Sequence, residues 1–267
     1  MNSLERKRAL ISGGARGIGA QTARRMAEAG ASVIVADILE ARAKETVAQI
    51  SAAGGTAHFV RLDVTKEQDW ANAVGEAEKR FGGLDILVNN AGLFLGCEFE
   101  KATDDDWDRI VAINLKGVYL GTKVCAPALR ETGKSSPHGS AIVNLASIAG
   151  LIASPIDPIY SMTKGGVTLF TKSTAVAFGR SGDRIRVNSV HPGVIDTDMG
   201  QQTFTARAAM AGTNDVDAAR DQAQRLHPIG RLGTADDIAL GIVFLASDDS
   251  GFMTGSALVV DGGYTAQ

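Results

Sequence analysis

Ser147, Tyr160 and Lys164 are the side chains of this sequence whose types and spacing could do chemistry together. Tyr160 and Lys164 are four residues apart, so in a helix they share a face, and Ser147 precedes the tyrosine by thirteen residues. A free phenol has a pKa of about 10, and a neighbouring ammonium group lowers it by favouring the phenolate. Such a pair can give or take a proton near neutral pH. Beside a bound hydride carrier it would interconvert an alcohol and a carbonyl.

A glycine-rich segment near the N-terminus could hold that hydride carrier. Residues 12–19, SGGARGIG, follow the first predicted strand and open the first predicted helix. Glycine lets the backbone approach a pyrophosphate closely, and the free N–H groups of a helix N-terminus bind anions. The glycines at 13, 17 and 19 are spaced GxxxGxG rather than GxGxxG, so the strand–turn–helix context carries much of the interpretation.

Asp37 favours one of the two nicotinamide dinucleotides. It ends the second predicted strand eighteen residues after Gly19, near the distance at which an acidic residue binds the adenosine ribose hydroxyls. At ~4 Å and an effective dielectric of about 20, a 2′-phosphate would be repelled by roughly 4 kcal/mol. Arg16 argues the other way, since a guanidinium could hold a phosphate, but Ile38 supplies no second cation. We therefore expect NAD(H) rather than NADP(H). Asp37 could also cap the helix that follows it.

Strand and helix alternate along the whole chain, which predicts a doubly wound parallel sheet of about seven strands with helices on both faces. Several of the strand-length segments are rich in Val and Ile on both faces, as buried parallel strands are. The predicted strands are Ala9–Ser12, Ser32–Ala36, Ala57–Leu62, Leu84–Asn89, Ala141–Ala146, Ile185–Val190 and Ala257–Val260. The predicted helices are Gly17–Ala29, Leu39–Ala53, Lys66–Phe81, Asp104–Arg130, Pro158–Phe178 and Ala235–Ala246.

A single domain covering residues 1–267 is expected, because no linker, repeat or composition break interrupts this alternation. The segment at about 198–226 differs from the rest, being rich in Gln, Thr, Ala and Arg between a strand end and the final helix. An insertion there overhangs the carboxyl edge of the sheet, where ligands bind in open α/β folds. We interpret it as a substrate lid. The alternative is a helical pair that does not contact the substrate.

Composition and charge exclude several classes of function. Apolar residues make up 45% and charged residues 21% of the chain, which is typical of a globular protein with a full core. The net charge is −3 without a basic run, so a nucleic-acid partner is not expected. Neither Cys97 and Cys125 nor the histidines at 58, 138 and 227 have metal-ligand spacing, so no catalytic metal is expected.

The N-terminal segment and the length of the apolar stretches indicate where in the cell the protein is expected. The segment MNSLERKR lacks the apolar region of a secretory signal. No apolar stretch approaches the ~20 residues needed to span a bilayer. We expect a soluble, cytoplasmic protein without a membrane partner.

The order and spacing of several motifs resemble the short-chain dehydrogenase/reductase family over essentially the whole chain. Ser12 and Ala146 depart from the family's usual Thr and Ser without removing a catalytic group. The resemblance implies a Rossmann-type fold and oxidation of CH–OH groups with NAD(P), and is closest to NAD-dependent secondary alcohol dehydrogenases. The motifs are SGGARGIG at 12–19, Asp63-Val64, NNAG at 89–92, Asn114, Ser147, YSMTK at 160–164, Arg186-Val187-Asn188, His191-Pro192-Gly193 and Val260-Asp261-Gly262-Gly263.

The resemblance implies a catalytic tetrad of Asn114, Ser147, Tyr160 and Lys164. Tyr160 would be the general acid in reduction and the base in oxidation. Lys164 would favour the phenolate and bind the nicotinamide ribose, and Ser147 would hold the substrate oxygen. Asn114 would hold a water that links Lys164 to solvent. His191 has no partner visible in the sequence, and we interpret it as structural.

The implied cofactor contacts extend beyond the glycine-rich segment. Asp63 and Val64 would frame the adenine edge, and Thr197 with the backbone of Ile195 would lie near the nicotinamide carboxamide. Asn90 would bridge strand backbones beneath the cofactor. The complete predicted set is Gly13, Arg16, Gly17, Ile18, Gly19, Asp37, Asp63, Val64, Asn90, Ala91, Gly92, Tyr160, Lys164, Pro192, Gly193, Ile195 and Thr197.

An apolar substrate pocket is expected beside Ser147 and Tyr160. Its predicted contacts include Leu151, Ile156 and, from the lid, Met199. No cluster of Arg or Lys marks a handle for a carboxylate or phosphate. A hydrophobic ketone or secondary alcohol, whether cyclic, aryl or steroidal, is therefore favoured over a charged sugar.

The resemblance also bears on assembly. Helices that carry Asn114 and Tyr160 pack against a partner subunit in this family, which implies a homotetramer. The C-terminal GGYTAQ is similar to that of members acting on simple secondary alcohols. In some of those the terminal carboxylate helps to bind a structural Mg²⁺ between subunits.

The sequence leaves two other functions open. A 3-oxoacyl-thioester (acyl carrier protein) reductase would share the catalytic motifs, but would usually use NADPH and carry basic residues at the pocket mouth. Asp37 and the lack of a basic patch argue against it. A dinucleotide-binding regulator without turnover need not keep Ser147, Tyr160 and Lys164 in register, and all three are present.

Overall fold

The computed structural model describes residues 3–267, and in them the seven predicted strands form one parallel sheet. The strands are β1 Arg8–Ser12, β2 Ser32–Asp37, β3 Thr56–Arg61, β4 Ile86–Asn89, β5 Ser140–Leu145, β6 Ile185–Pro192 and β7 Ala257–Val260. Their order is β3-β2-β1-β4-β5-β6-β7. The chain therefore winds outward in two directions from β1 and β4, and a ligand crevice is expected at the carboxyl ends of these strands.

Helices cover both faces of the sheet and bury two separate apolar cores. Leu10 and Ile11 are adjacent in β1 but belong to different cores, because successive side chains of a strand point to opposite faces. Met26 packs in the core on one face, and Trp70 and Leu129 pack in the core on the other. The helices are α1 Gly17–Glu28, α2 Glu40–Ala52, α3 Glu67–Phe81, α4 Asp104–Val111, α5 Gly117–Gly133, α6 Pro158–Arg180, α7 Asp198–Met210, α8 Val216–Arg225 and α9 Ala235–Ala246.

Local sequence chemistry sets the start of two helices where it was predicted. Thr103 with Asp106 before α4, and Thr234 with Asp237 before α9, form capping boxes. In each box the threonine hydroxyl accepts from the aspartate N–H, and the aspartate carboxylate accepts from the threonine N–H. These bonds satisfy N–H groups that the first helical turn leaves without partners, which is why the boundary is legible in sequence.

The predicted helix Asp104–Arg130 is wrong in its continuity. A π-helical turn at Ala112–Lys116 separates α4 from α5. Asn114 lies in this turn with its side chain buried, and its amide bonds to the backbone of Leu93. The wider turn accommodates a polar side chain inside the fold, and such turns are frequent at functional sites.

The 198–226 segment consists of the two helices α7 and α8, which pack against each other on a small apolar core of their own. Ion pairs connect α7 and α8 to the loops at the carboxyl edge of the sheet. Arg16 of the glycine-rich segment lies 2.7 Å from Asp198, the first residue of α7, and Arg220 of α8 pairs with Asp196. The segment is therefore tied to the loops that surround the carboxyl edge.

Two further observations concern the cysteines and the apolar character of the helices. Cys97 and Cys125 are both free thiols. Within residues 3–267, none of the helices has the length and apolar character that a membrane crossing requires.

Candidate active site

A cavity of about 900 Å³ lies at the carboxyl edge of the sheet, bounded by the loops after β1, β2, β4, β5 and β6 and by α7. Every predicted cofactor contact lines it, from Gly13 to Thr197. Ser147, Tyr160, Ile156 and Met199 of the predicted substrate contacts line it as well. The fold thus brings nearly all the predicted site residues together in one place.

Two predicted site residues do not line the cavity. Leu151 is 42% exposed, whereas Ile148 and Ile152 line the wall. The reason is a helical turn in which the Ile152 N–H donates to the Ile148 carbonyl at 2.9 Å, so these two side chains share a face that Leu151 does not. Asn114, the other exception, is buried behind the wall.

Close backbone packing explains two of the glycines in the 12–19 segment. Gly13 has φ of 67°, a left-handed conformation that favours glycine. A Cβ atom added to Gly19 would lie 2.0 Å from the Gly13 carbonyl oxygen, which is a clash with backbone. The first turn of α1 therefore sits directly against the loop, and the N-terminus of this helix, a position suited to an anion, lines the cavity.

Asp37 is held rigidly at the cavity wall. One carboxylate oxygen accepts from the Ala15 N–H at 3.0 Å, and the other accepts from the Leu39 N–H at 2.9 Å. The side chain is only 8% exposed. The carboxylate therefore holds the turn that precedes α2, whose N-cap residue is Leu39 rather than Asp37, and places a negative charge beside the glycine-rich segment. Binding of the adenosine ribose by Asp37 stays a prediction.

Arg16 has a partner that the sequence did not indicate. Its guanidinium Nη1 lies 2.7 Å from the Asp198 carboxylate. This contact, rather than a free phosphate-binding cation, is what the fold provides, so the main argument for a 2′-phosphate is weaker.

Tyr160 and Lys164 lie one turn apart on α6, with the Lys164 Nζ 5.5 Å from the centre of the Tyr160 ring. Lys164 Nζ donates to the Leu145 carbonyl at 2.7 Å. The Phe94 ring packs edge-on against Tyr160 at a centroid distance of 5.4 Å. These contacts fix both predicted catalytic groups against the β5 end and the loop after β4.

Burial dominates the titration of this pair. It raises the pKa of Tyr160 to about 12, against the effect of a hydrogen bond with Ser147, and it lowers the pKa of Lys164 to about 8. The expected lowering of the Tyr160 pKa by Lys164 is therefore not a property of the chain by itself. At neutral pH the chain holds Tyr160 as a neutral phenol, the form that donates a proton, beside a cationic Lys164.

His191 positions Ser147 through its backbone. The ring Nδ1 lies 3.0 Å from the Ser147 carbonyl, and Nε2 lies 2.8 Å from the Ser189 hydroxyl. A carbonyl only accepts, so Nδ1 carries the proton and Nε2 accepts from Ser189. Burial lowers the pKa of His191, which keeps the ring neutral. The ring is completely buried, and its structural role stays an interpretation that these contacts support.

Asn114 lies behind the cavity wall and holds the backbone of the loop after β4. Its Oδ1 accepts from the Leu93 N–H at 2.7 Å, and its Nδ2 donates to the Leu93 carbonyl at 2.9 Å and to the Thr163 hydroxyl at 3.1 Å. A Cβ atom on Gly92 would lie 3.5 Å from Lys164 Nζ and 3.6 Å from Asn114 Oδ1, so Gly92 separates these polar atoms. The water link to Lys164 that the resemblance implies stays a prediction.

Asp157 is a supporting residue that the sequence identified only as a helix cap. One carboxylate oxygen accepts from the Tyr160 N–H at 2.8 Å, as predicted for an N-cap before Pro158. The other oxygen accepts from the Leu95 and Gly96 N–H groups at 3.0 and 3.1 Å. A single buried carboxylate thus connects the catalytic helix to the loop after β4 that lines the cavity.

We expect Asp157→Ser to raise the KM for the alcohol about tenfold, since hydrogen bonds to a charged group contribute about 1.5–3 kcal/mol. Serine retains a helix cap but is too short to reach the Leu95 and Gly96 N–H groups, so the free energy of unfolding should also fall, by about 2–3 kcal/mol. Steady-state kinetics and urea denaturation measure the two effects. Asp215→Ser, which alters the N-cap of α8, is the matched control. An unchanged KM in Asp157→Ser would show that the loop does not depend on this anchor.

No group of three or more acidic, histidine or cysteine side chains in residues 3–267 is arranged so that it could hold a metal ion. The chemistry available at the site is instead that of a phenol, an ammonium group, a hydroxyl and a glycine-rich anion-binding turn.

Comparison with known proteins agrees with this arrangement. A family model described as enoyl-(acyl carrier protein) reductase matches residues 13–265. The chain belongs to the short-chain dehydrogenase/reductase family. The match covers the glycine-rich turn, the catalytic helix and the C-terminal strand of this short-chain dehydrogenase/reductase together.

Relatives of this short-chain dehydrogenase/reductase match it along nearly their whole length. A 2,5-dichloro-2,5-cyclohexadiene-1,4-diol dehydrogenase of Sphingobium indicum is 39% identical over 264 residues, covering 99% of this chain and 98% of its own. A cyclopentanol dehydrogenase of Comamonas testosteroni is 39% identical over 268 residues, covering 100% of both. A short-chain type dehydrogenase/reductase crystal structure from Mycobacterium marinum has a TM-score of 0.87 at 32% identity, covering 100% of this chain and 98% of that one.

Membership has two consequences for the chemistry. The protein is a dehydrogenase acting on CH–OH groups, and enzymes of this family use a nicotinamide cofactor. The cavity fits such a cofactor, because the anion-binding turn at Gly13–Gly19 and the Tyr160–Lys164 pair line the same space.

Proposed function

We propose that this protein is an NAD(H)-dependent dehydrogenase that interconverts hydrophobic secondary alcohols and their ketones, with Tyr160 as acid and base. The observation that carries the proposal is the shared cavity, which is lined both by Asp37 and by Ser147, Tyr160 and Lys164. Its substrate-side lining is largely apolar, including Phe94, Ile148, Ile152 and Ile156.

Each catalytic side chain has a role that its position supports. Ser147 holds the substrate oxygen by a hydrogen bond and places it within reach of Tyr160. In reduction Tyr160 donates its proton to that oxygen, and in oxidation the phenolate takes the hydroxyl proton. Lys164 stabilises the phenolate through its charge. When bound, the cofactor accepts or supplies the hydride and in its oxidised form adds a positive charge that favours the phenolate.

The relatives support the substrate class. Two of them are named for a cyclic diol and for cyclopentanol, which are secondary alcohols on a ring. We propose that α7 and α8 form the lid over this pocket, because Met199 and Thr203 of α7 line the cavity. A panel of cyclic, aryl and steroid alcohols with NAD⁺, followed as NADH absorbance at 340 nm, tests the proposal. Failure to oxidise any of them with either dinucleotide would contradict it.

Cofactor selectivity should follow Asp37. We expect NAD⁺ to be preferred over NADP⁺ by at least about a hundredfold in kcat/KM, within the roughly 4 kcal/mol of repulsion that a buried carboxylate exerts on a 2′-phosphate ~4 Å away. Asp37→Asn should remove most of the preference because it removes the charge, and its amide oxygen can keep only one of the two bonds from the Ala15 and Leu39 N–H groups. Initial rates with the two dinucleotides measure the ratio. A wild-type preference for NADPH in ketone reduction would favour the 3-oxoacyl-thioester reductase alternative instead.

We also propose a homotetramer, as the family resemblance implies. The α5 and α6 helices expose Tyr119, Met162, Leu169 and Val176, and a groove of about 380 Å³ lies between them. An apolar face of this kind is typical of an interface between subunits. Light scattering coupled to size-exclusion chromatography measures the mass.

A structural Mg²⁺ at the C-terminal carboxylate is the less supported part of the proposal. Within residues 3–267 no group of three acidic, histidine or cysteine side chains is arranged to hold a metal ion, so the ion would need water or a second subunit to complete its ligands. A cytoplasmic location stays a prediction from the sequence.

A further inference from the structure

One face of α7 lines the cavity, and an arginine near the C-terminal end of the helix gives that face a positive charge. Met199, Thr203 and Arg207 all line the cavity and are spaced four residues apart, so they form a stripe along the helix. Arg207 lies about 12 Å along the helix axis from Met199, at a rise of ~1.5 Å per residue. A cation therefore stands in a wall that is otherwise largely apolar.

The Arg207 side chain has no partner for its charge among residues 3–267. Its Nε is buried without a hydrogen-bond partner, and it forms no ion pair with an acidic side chain of the described chain. The neighbouring Arg16 and Arg220 both pair with aspartates. Arg220 Nε is likewise buried without a partner although Arg220 forms an ion pair, so what distinguishes Arg207 is its half-buried guanidinium beside the cavity, without an acidic partner among the described residues. A cation in this position can pair with an anionic group that enters the cavity.

The contacts of α7 place this charge over the substrate half of the cavity. A Cβ atom on Gly96 would lie 3.4 Å from the Ala206 Cβ and 2.8 Å from the Phe94 ring, so residue 206 abuts the loop after β4. Phe94 in turn packs edge-on against Tyr160. Arg207, next to Ala206, is thus on the side of the catalytic tyrosine, away from Asp37 at the end of β2.

We propose that Arg207 binds a carboxylate on the substrate, at the end remote from the reacting hydroxyl. The inference rests on the proposed function and narrows its substrate class to secondary alcohols with an apolar body and an anionic end. The planar guanidinium matches a carboxylate with two parallel hydrogen bonds. The apolar wall at Ile148, Ile152 and Ile156 suits the body between the two ends. The sequence did not indicate this carboxylate-binding residue, because it is a single arginine rather than a cluster of basic residues.

A matched substrate pair tests the assignment. We expect the wild type to oxidise 4-(1-hydroxyethyl)benzoate with a kcat/KM at least about tenfold above that of its methyl ester, mainly through KM, as a charge-assisted hydrogen bond provides. Arg207→Leu should reduce this acid-to-ester ratio about tenfold. Arg225→Leu makes the same change of charge on α8, at an exposed side chain outside the cavity, and should leave the ratio unchanged.

Binding without turnover gives a second reading. The keto acid 4-acetylbenzoate, which cannot react with NAD⁺, should raise the Tm of the NAD⁺ complexes of the wild type and of Arg225→Leu, but not that of Arg207→Leu. An equal or higher kcat/KM for the ester, an unchanged ratio in Arg207→Leu, or oxidation of neutral alcohols alone would overturn the assignment and leave the proposed function standing. Absence of oxidation of every alcohol, with 4-acetylbenzoate still binding through Arg207, would instead remove the proposed function.

Discussion

Tyr160→Phe is expected to lower kcat by about a thousandfold or more in both directions while NADH binding stays unchanged, since a positioned acid or base contributes about 10²–10⁴-fold. The substitution removes only the hydroxyl. The ring that packs against Phe94 remains, so no cavity forms in the wall. Kinetics at 340 nm measure the loss of turnover, and NADH fluorescence measures cofactor binding.

The pH dependence distinguishes loss of a proton donor from general damage. With a pKa of about 12 in the chain alone, Tyr160 is neutral across the ordinary range and loses its proton only at high pH. Oxidation, which needs the phenolate, should therefore rise with pH in the wild type, whereas the residual rate of Tyr160→Phe should not depend on this group. Tyr119→Phe, at a half-exposed tyrosine of α5 outside the cavity, is the control. Turnover within tenfold of the wild type in Tyr160→Phe would exclude the mechanism.

Lys164→Met is expected to have two opposite effects, a loss of kcat/KM of about a thousandfold and a gain in stability. The ammonium is 5% exposed, donates one hydrogen bond to the Leu145 carbonyl and forms no ion pair with the described residues. Burial lowers its pKa from 10.5 to about 8, which corresponds to roughly 3 kcal/mol against the charged form. Methionine fills a similar volume without the charge but loses the bond to Leu145, so a gain of about 1–2 kcal/mol is expected.

The sign of this effect can be checked with pH. Because the folded pKa lies below the unfolded value, the charged side chain opposes folding fully below pH 8, and the effect fades as pH rises toward 10.5. The stability difference between Lys164→Met and the wild type in urea should therefore be largest at pH 7 and smaller at pH 10. Lys172→Met, at an exposed lysine on the same helix, should change neither stability nor rate. A less stable Lys164→Met at pH 7 would show that the lysine contributes to folding rather than opposing it.

Much of the site was predictable because its chemistry is local in sequence. The glycine-rich segment lies between one strand and one helix, and Tyr160 and Lys164 lie one turn apart on a single helix. Asp37 follows from its place at the end of a strand. Each of these features depends on residues within about one secondary-structure element, whose hydrophobic period and caps are visible in sequence.

Other features depended on contacts between distant parts of the chain. Asn114 lies in the π-helical turn and bonds to Leu93, which is distant in sequence. The helical periodicity of the sequence does not predict this turn. The wall contains Ile152 rather than Leu151 because of how one short turn meets the cavity. Burial, not the proximity of Lys164, sets the pKa of Tyr160 in the chain alone.

The sequence by itself determined the doubly wound fold and the positions of its seven strands, and it predicted which residues would exchange a proton and bind a dinucleotide. Only the tertiary structure decided that Asp157 joins the catalytic helix to the loop at 95–96, that Arg16 pairs with Asp198, and that Arg207 faces the cavity. The physical reason is range. Propensity, capping and periodicity act over a few residues, whereas burial, ion pairing and cavity shape arise where elements far apart in the chain are packed together.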